Sequence, residues 1–271
     1  MSELLQIEFI DDNFTVDKSE DYQLLVRQGN HRSQMAIFSQ QNRLLLLLSW
    51  QKDVREERVD QLLHLAYQSK VLSIDTNYKM LIPNELYNPS QEVYYLNAFF
   101  LDKENHSLLS SYIKPFAAQC IYGISKEELR QLLLNFPDFM IQSGSTAILS
   151  ALAAIASDHK NYLSINFGEG YADFSYISDG KLIYHHMQPS QDADEFNYFL
   201  LAIAQEYNIN LSSISIIISG QIEVDDPTYQ RLKKYSNQLS FLDLSGVMEC
   251  SNFNVLKKGY QKLSLFGLLC A

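Results

Sequence analysis

The order of elements written into this chain runs through twice. Tyr22 to Val26 is predicted as a strand and Gln28-Gly29-Asn30 as a turn. Met35 to Phe38 and Arg43 to Trp50 complete a three-strand meander. Val54 to Ser69 then sets Val59, Leu62, Leu63 and Ala66 at helical spacing, and Val71 to Ile74 is the next strand. A helix from Ser125 to about Asn135, a strand from Asp138 to Gln142 and a small-residue helix from Ser143 to Ser157 close the first half. After Asp158 the order returns. Asn161 to Phe167, Ala172 to Ile177 and Lys181 to Met187 form a second meander, with Ser178-Asp179-Gly180 as its tight hairpin turn. Helix Asp192 to Tyr207, strand Ile214 to Ser219, helix Pro227 to Gln238 and strand Leu239 to Leu242 follow, then an apolar segment from Val255 to Cys270. The repeat lies in the hydropathy pattern, since the two halves are not visibly similar in sequence. Such repetition constrains the fold more than any single motif does.

The pattern implies an α/β protein of two like units, residues 1–157 and 158–271. Between the repeated elements the first half carries an extra piece. Met80 to Ile82 is a short strand, and a helix is expected from Ser90, its N-cap, through Phe100. Ser107 to Lys114 and Ala117 to Tyr122 make a hairpin through Pro115, a small β insertion near 107–123. Ser125, with Glu128 three residues on, has the form of a helix cap.

Composition limits the function classes. A chain of 271 residues buries enough surface to fold without a disulfide or metal, and 46% hydrophobic with 20% charged residues excludes wholesale disorder. The net charge of −11 argues against a nucleic-acid partner. Met1-Ser2-Glu3-Leu4-Leu5 lacks a basic start, and the five-leucine run Leu44 to Leu48 is too short to span a bilayer, so no signal peptide and no transmembrane segment are expected and the location expected is cytoplasmic. Cys120, Cys250 and Cys270 are odd in number and widely spaced, which suits small core residues better than a disulfide framework or metal pair. His185 and His186, adjacent on a strand, face opposite sides of the sheet and cannot chelate one ion. The other histidines show no ligand spacing, and no GxSxG or phosphate-loop motif is present. Ser143-Gly144-Ser145-Thr146 opens a helix, where capping accounts for the residues better than anion binding.

Meander, helix, strand, helix, strand is the ribonuclease H-like unit, and two in tandem resemble the actin-like ATPase superfamily. The second half carries the likeness. Asn166-Phe167-Gly168-Glu169-Gly170-Tyr171-Ala172-Asp173 resembles that superfamily's second phosphate loop, Asp-x-Gly-Gly-Gly-Thr-Thr-Asp. Ile216-Ile217-Ile218-Ser219-Gly220-Gln221 resembles its adenosine-contacting strand and turn. The early meander, Ile82-Pro83-Asn84-Glu85-Leu86-Tyr87, the strand-Ser-Gly element and the closing Tyr260 to Cys270 are similar to a family of Bacteroidetes proteins of unknown function, DUF3822. The resemblance implies tandem ribonuclease H-like subdomains in an actin-like ATPase arrangement. It implies a nucleotide cleft lined by Asn166, Gly168, Gly170, Asp173, Ser219 and Gly220 from the second half and by Gly29 and Ser33 from the first.

The departures from the superfamily pattern point away from turnover. Its metal-positioning carboxylate is replaced by Asn166, the first hairpin Val26 to Ser33 offers no carboxylate, and Glu169 puts an anion where the superfamily has glycine. Charge neutralisation and positioning are nearly all of phosphoryl-transfer catalysis. The expectation is therefore a non-catalytic interaction or regulatory protein, a pseudo-ATPase needing no cofactor or metal, with an unidentified protein partner. The alternatives are a protein that binds ATP with Mg and hydrolyses it weakly or not at all, and an assembly-platform component like the pilus-assembly actin-like proteins.

Overall fold

The structure is a computed structural model that describes residues 5–52, 54, 56–100, 102–156 and 159–271. The expected boundary at 157/158 and the residue Arg55 in the first helix lie outside the described residues. The chain divides into two compact units. One comprises 1–151, 247–256 and 264–271; the other comprises 152–246 and 257–263. The final stretch, expected wholly within the second half, thus alternates between units, because its apolar residues complete two cores.

The first unit is built on a six-stranded sheet in the order β1-β4-β3-β2-β5-β9. The strands are β1 (Leu5–Ile10), β2 (Gln23–Gln28), β3 (Arg32–Phe38), β4 (Leu44–Gln51), β5 (Ser69–Ile74) and β9 (Met140–Ser143). The five-leucine run falls in β4 and is buried along its whole length, as a central strand covered on both faces requires. Edge strand β1 went unforeseen; it pairs antiparallel with β4 across an irregularity between Ile7 and Phe9. Helix α1 spans only Glu57–His64 and buries Val59, Leu62 and Leu63. The expected helix to Ser69 ends early because Ser69 already pairs with Gln23 as the start of β5.

The insertion is a three-stranded sheet, β6 (Lys79–Pro83), β8 (Ala118–Ser125) and β7 (His106–Ile113), with helix α2 (Glu92–Phe99). Asn88 rather than Ser90 caps there, accepting from the Ser90 backbone N–H at 3.0 Å into a short 3-10 turn. Ser125 does cap helix α3 (Lys126–Asn135), its hydroxyl accepting from the Glu128 N–H at 3.1 Å. Helix α4 covers Gly144–Ile155.

The C-terminal segment is stitched into the first unit at the buried Asp11 carboxylate. The Asp11 carboxylate accepts from Arg43 at 2.9 Å and from the Ser251 hydroxyl at 2.7 Å. Phe266 packs edge-on against Phe38 at 5.8 Å. Of the three cysteines only Cys120 is a core residue; Cys250 and Cys270 are half-buried, and all three are free.

The second unit repeats the topology with β12-β11-β10-β13-β14. Here β10 is Tyr162–Phe167, β11 Tyr171–Ser178, β12 Lys181–Pro189, β13 Ser215–Gly220 and β14 Leu239–Phe241. In each unit the leading strand, β2 or β10, pairs antiparallel with the next strand and parallel with the crossover strand, β5 or β13. Asp179 and Gly180 take left-handed φ values of 50° and 74°, which a tight hairpin turn of this hand demands. Helix α5 (Ala193–Glu206) turns Phe196, Leu200, Ile203 and Ala204 inward, and Phe196 stacks on Phe174 at 5.7 Å. Burying each such side chain contributes roughly 1.5–3 kcal/mol. Helix α6 is short, Pro227–Leu232.

Candidate functional site

In open α/β sheets, ligands bind beyond the carboxyl ends of the parallel strands. In the second unit those are the ends of β10 and β13. Register places three polar residues side by side across the sheet there: Asn166 on β10 pairs with Asp173 on β11 and with Ser219 on β13. They are 5%, 3% and 0% exposed, and the Ser219 hydroxyl donates to the Asn166 side-chain carbonyl at 3.0 Å.

The glycines around this row serve the backbone. Gly168 donates its N–H to the Tyr171 carbonyl at 2.9 Å to close the β10–β11 turn, and a side chain there would overlap the Tyr171 ring. Gly170 has φ +75°, and its carbonyl accepts from the Ser190 N–H at 2.9 Å. Gly220 has φ +85° with its α-carbon pressed against the Phe167 carbonyl, which also accepts from the Gln221 N–H at 2.7 Å. Glu169 is exposed at the tip of the turn.

Beyond these strand ends lies a cavity of about 650 Å³ lined by Phe167, Gly168, Ser190, Gln221 and Thr228 and by three carboxylates, Asp192, Asp194 and Asp226, with no Lys or Arg. Asp192 accepts from the N–H groups of Asp194 and Glu195, each at 2.9 Å, and so caps α5. Asp226 accepts from Thr228 N–H at 2.8 Å and caps α6. The two helix N-termini that could have cradled a phosphate already hold the chain's own anions.

The first unit has the matching row. Arg27 on β2 pairs with Gln34 on β3 and with Ser73 on β5. By register Arg27 is the counterpart of Asn166, and its guanidinium meets the Asp75 carboxylate at 2.6 Å. Arg27 and Asp75 escaped the reading of the sequence; aligning the ends of β2 and β10 is the signal that finds them. Gly29 lies in the turn after β2, its N–H donating to the Arg32 carbonyl at 3.1 Å, and Ser33 is buried on β3 opposite Gln28. These two belong to the first unit and the other six candidates to the second. At the start of α4, a side chain on Gly144 would overlap the Asp75 carboxylate, so that helix N-terminus faces an internal anion too.

The leading-strand position carries a guanidinium in one unit and a neutral amide in the other, an amide brings oxygen but no charge to a hard cation, and the carboxylate of the second-unit row is Asp173, one strand over. Among the described residues no group of three or more His, Cys, Asp or Glu is arranged to hold a metal ion. His185 is half-buried with Nδ1 2.9 Å from the Ser175 hydroxyl, and His186 is exposed.

Doubled five-strand topology with its inserted sheet defines a protein of the actin-like ATPase fold. The chain belongs to the family described as "Protein of unknown function (DUF3822)", whose sequence model matches residues 11–239. It is similar to a Bacteroides thetaiotaomicron protein with actin-like ATPase fold and unknown function, at 17% identity and TM-score 0.75, covering 95% of this chain and 99% of that one. It is also similar to a chain of the PilM-PilN type IV pilus biogenesis complex, at 12% identity and TM-score 0.61, covering 91% of this chain and 97% of that one. No curated protein matches the chain. Among the described residues no helix is long and apolar enough to cross a membrane.

Proposed function

We propose that this protein is a non-catalytic interaction or regulatory scaffold that keeps the actin-like ATPase fold without its nucleotide chemistry. The observation that carries this is the pair of leading-strand residues: Arg27, ion-paired to Asp75, and Asn166, hydrogen-bonded to Ser219. Neither supplies a carboxylate to a hard cation, and each is engaged by a residue of its own unit. The carboxylates of the second-unit cavity reinforce it: Asp194 is ion-paired to Arg231 at 2.6 Å, but an approaching triphosphate still meets Asp192 and Asp226 with no basic lining residue.

The test is calorimetric titration with Mg-ATP at concentrations that detect a Kd of about 100 μM, roughly 5.5 kcal/mol of binding, alongside phosphate release. No saturable heat and no turnover are expected. Saturable heat that disappears in Asn166→Ala, or turnover that does, overturns the proposal and restores the reading as a nucleotide-binding protein. The similarity to a chain solved within the PilM-PilN complex favours, as the form such a role takes, a component of a protein assembly. A strictly monomeric protein that captures no partner from its own cells counts against that form.

A further inference from the structure

A second cavity, of about 210 Å³, lies in the first unit, where the end of β5 meets the inserted sheet and the start of α3. Its wall is aromatic. Phe100 stacks on His106 with centroids 3.7 Å apart and planes 13° apart, and Tyr78 leans on Phe100 at 4.5 Å. Gly123 makes this possible, because any β-carbon there would occupy the Phe100 ring. Hydrogen bonds hold the wall in place. Gly123 N–H donates to the Tyr78 carbonyl at 2.8 Å, the Thr76 hydroxyl donates to the Gly123 carbonyl at 3.2 Å, and His106 Nδ1 lies 2.6 Å from the Asp102 carbonyl. Two carboxylates, Asp75 and Glu128, complete the lining, which contains no Lys or Arg. Arg27 engages the Asp75 carboxylate at 2.6 Å, so Glu128, exposed on the first turn of α3, is the main anionic group.

A carboxylate beside aromatic rings, in a space large enough for a few carbon atoms, is the chemistry that recognises a cation on an apolar stem. We propose that this cavity binds an organic cation, an alkylammonium or guanidinium group. A phosphate or carboxylate ligand is disfavoured by Asp75 and Glu128, and a neutral hydrocarbon leaves Glu128 unused. The proposal goes beyond the scaffold reading and does not depend on the absence of nucleotide chemistry.

The experiment is a titration of the isotope-labelled full chain with butylammonium chloride, followed by amide chemical shifts. Butan-1-ol is the uncharged control. Saturable shifts at Tyr78, His106 and Gly123 with a Kd of about 1–10 mM are expected for the ammonium alone. Glu128→Gln, a surface change that keeps the fold, is expected to weaken binding about five-fold, and Tyr78→Leu to do the same. A capped lysine tripeptide and its acetyl-lysine form separate the two sources of such a cation. Tighter binding of the lysine peptide than of butylammonium, lost on acetylation, assigns the site to a protein side chain; equal or weaker binding assigns it to a free amine. No saturable shift up to about 50 mM, equal shifts with butan-1-ol, or indifference to both substitutions overturns the proposal.

Discussion

The Ser219 hydroxyl and the Asn166 side-chain carbonyl meet at 3.0 Å in a row with Asp173 across three neighbouring strands. Asn166 is spent on the sheet itself. Asn166→Asp would set a second carboxylate beside Asp173 at a position only 5% exposed. Burial and the like-charged neighbour would raise the pKa of the new acid above its unfolded value of about 3.9. A carboxyl raised in the folded state costs nothing below the unfolded value, and its cost grows as pH rises toward the folded value. The variant is therefore expected near wild-type stability at pH 4 and about 2–4 kcal/mol less stable at pH 7. Thermal melts across that range check it, and a gap independent of pH would contradict the assignment.

Two glycines of the same loops separate backbone need from ligand need. Gly170 has φ +75° with open space around its α-carbon, whereas Gly220 combines φ +85° with the Phe167 carbonyl packed against it. Gly170→Ala is expected to cost about 1–2 kcal/mol, the left-handed penalty alone. Gly220→Ala is expected to cost more than about 3 kcal/mol, since backbone must also move. Urea denaturation of the pair checks the order, and an equal loss at both positions would show that the close approach at Gly220 carries no weight.

How much of this was legible in the sequence follows from the range of the forces involved. The doubled order of elements was readable because strands such as Leu44–Gln51 and Ser215–Gly220 carry continuous apolar runs, Leu44 to Leu48 and Ile216 to Ile218. The Asp179-Gly180 turn and the Ser125 cap were readable because their causes lie within four residues. The ends of α1 and α6 were not. Helix α1 ends at His64 because the chain beyond it pairs with β2 from Ser69 on, of which local periodicity contains no trace, and α6 stops at Leu232 rather than Gln238. Edge strand β1 was missed because only one side of it pairs, leaving a weak burial pattern. At the candidate site, Asn166, Gly168 and Gly220 were singled out by a local motif, while Arg27 and Asp75 are 48 residues apart and meet only through strand register.

The Asp11 carboxyl predicts how the first unit responds to acid. Burial works to raise its pKa, but hydrogen bonds from the Ser251 hydroxyl, the Asn13 backbone, the Arg43 guanidinium and the Asn13 side chain outweigh it and hold the carboxyl well below its ordinary value. A depressed carboxyl stabilises the fold fully above its unfolded value of about 3.9, and that stability is lost as pH falls toward the folded value. Ser251→Ala removes one donor. It is expected to cost about 1–2 kcal/mol at pH 7 and to move the acid midpoint upward. The single tryptophan, Trp50, lies buried in β4 of the same unit and reports the transition by fluorescence. Coincident acid midpoints for the two proteins would show that Ser251 does not support Asp11.

Thiol reactivity offers an independent check on burial. Desolvation pushes the Cys270 thiol up to about 11. At pH 8 its thiolate fraction is then about one in a thousand, and its alkylation by iodoacetamide is expected to run roughly a hundred-fold slower than that of an exposed cysteine. Mass-spectrometric time courses read this residue by residue. Rapid labelling of Cys270 in folded protein would place it in solvent.

The capping carboxylates of the second unit allow the two proposed obstacles to nucleotide binding to be told apart. Asp192 and Asp226 each accept backbone N–H groups at a helix start, and both line the cavity. Asparagine caps a helix as well as aspartate does. The double variant Asp192→Asn, Asp226→Asn therefore keeps the hydrogen bonds and loses only the charge–dipole part, about 0.3–1 kcal/mol per site. It also takes two negative charges out of the cavity. If those charges were the sole barrier, the variant would bind Mg-ATP where wild type does not. The expected result is continued silence in the titration, because Arg27 and Asn166 still offer a metal no carboxylate. Binding gained by the double variant would mean instead that the strand-end row tolerates a magnesium nucleotide, and that the cavity alone had been closed to it by charge.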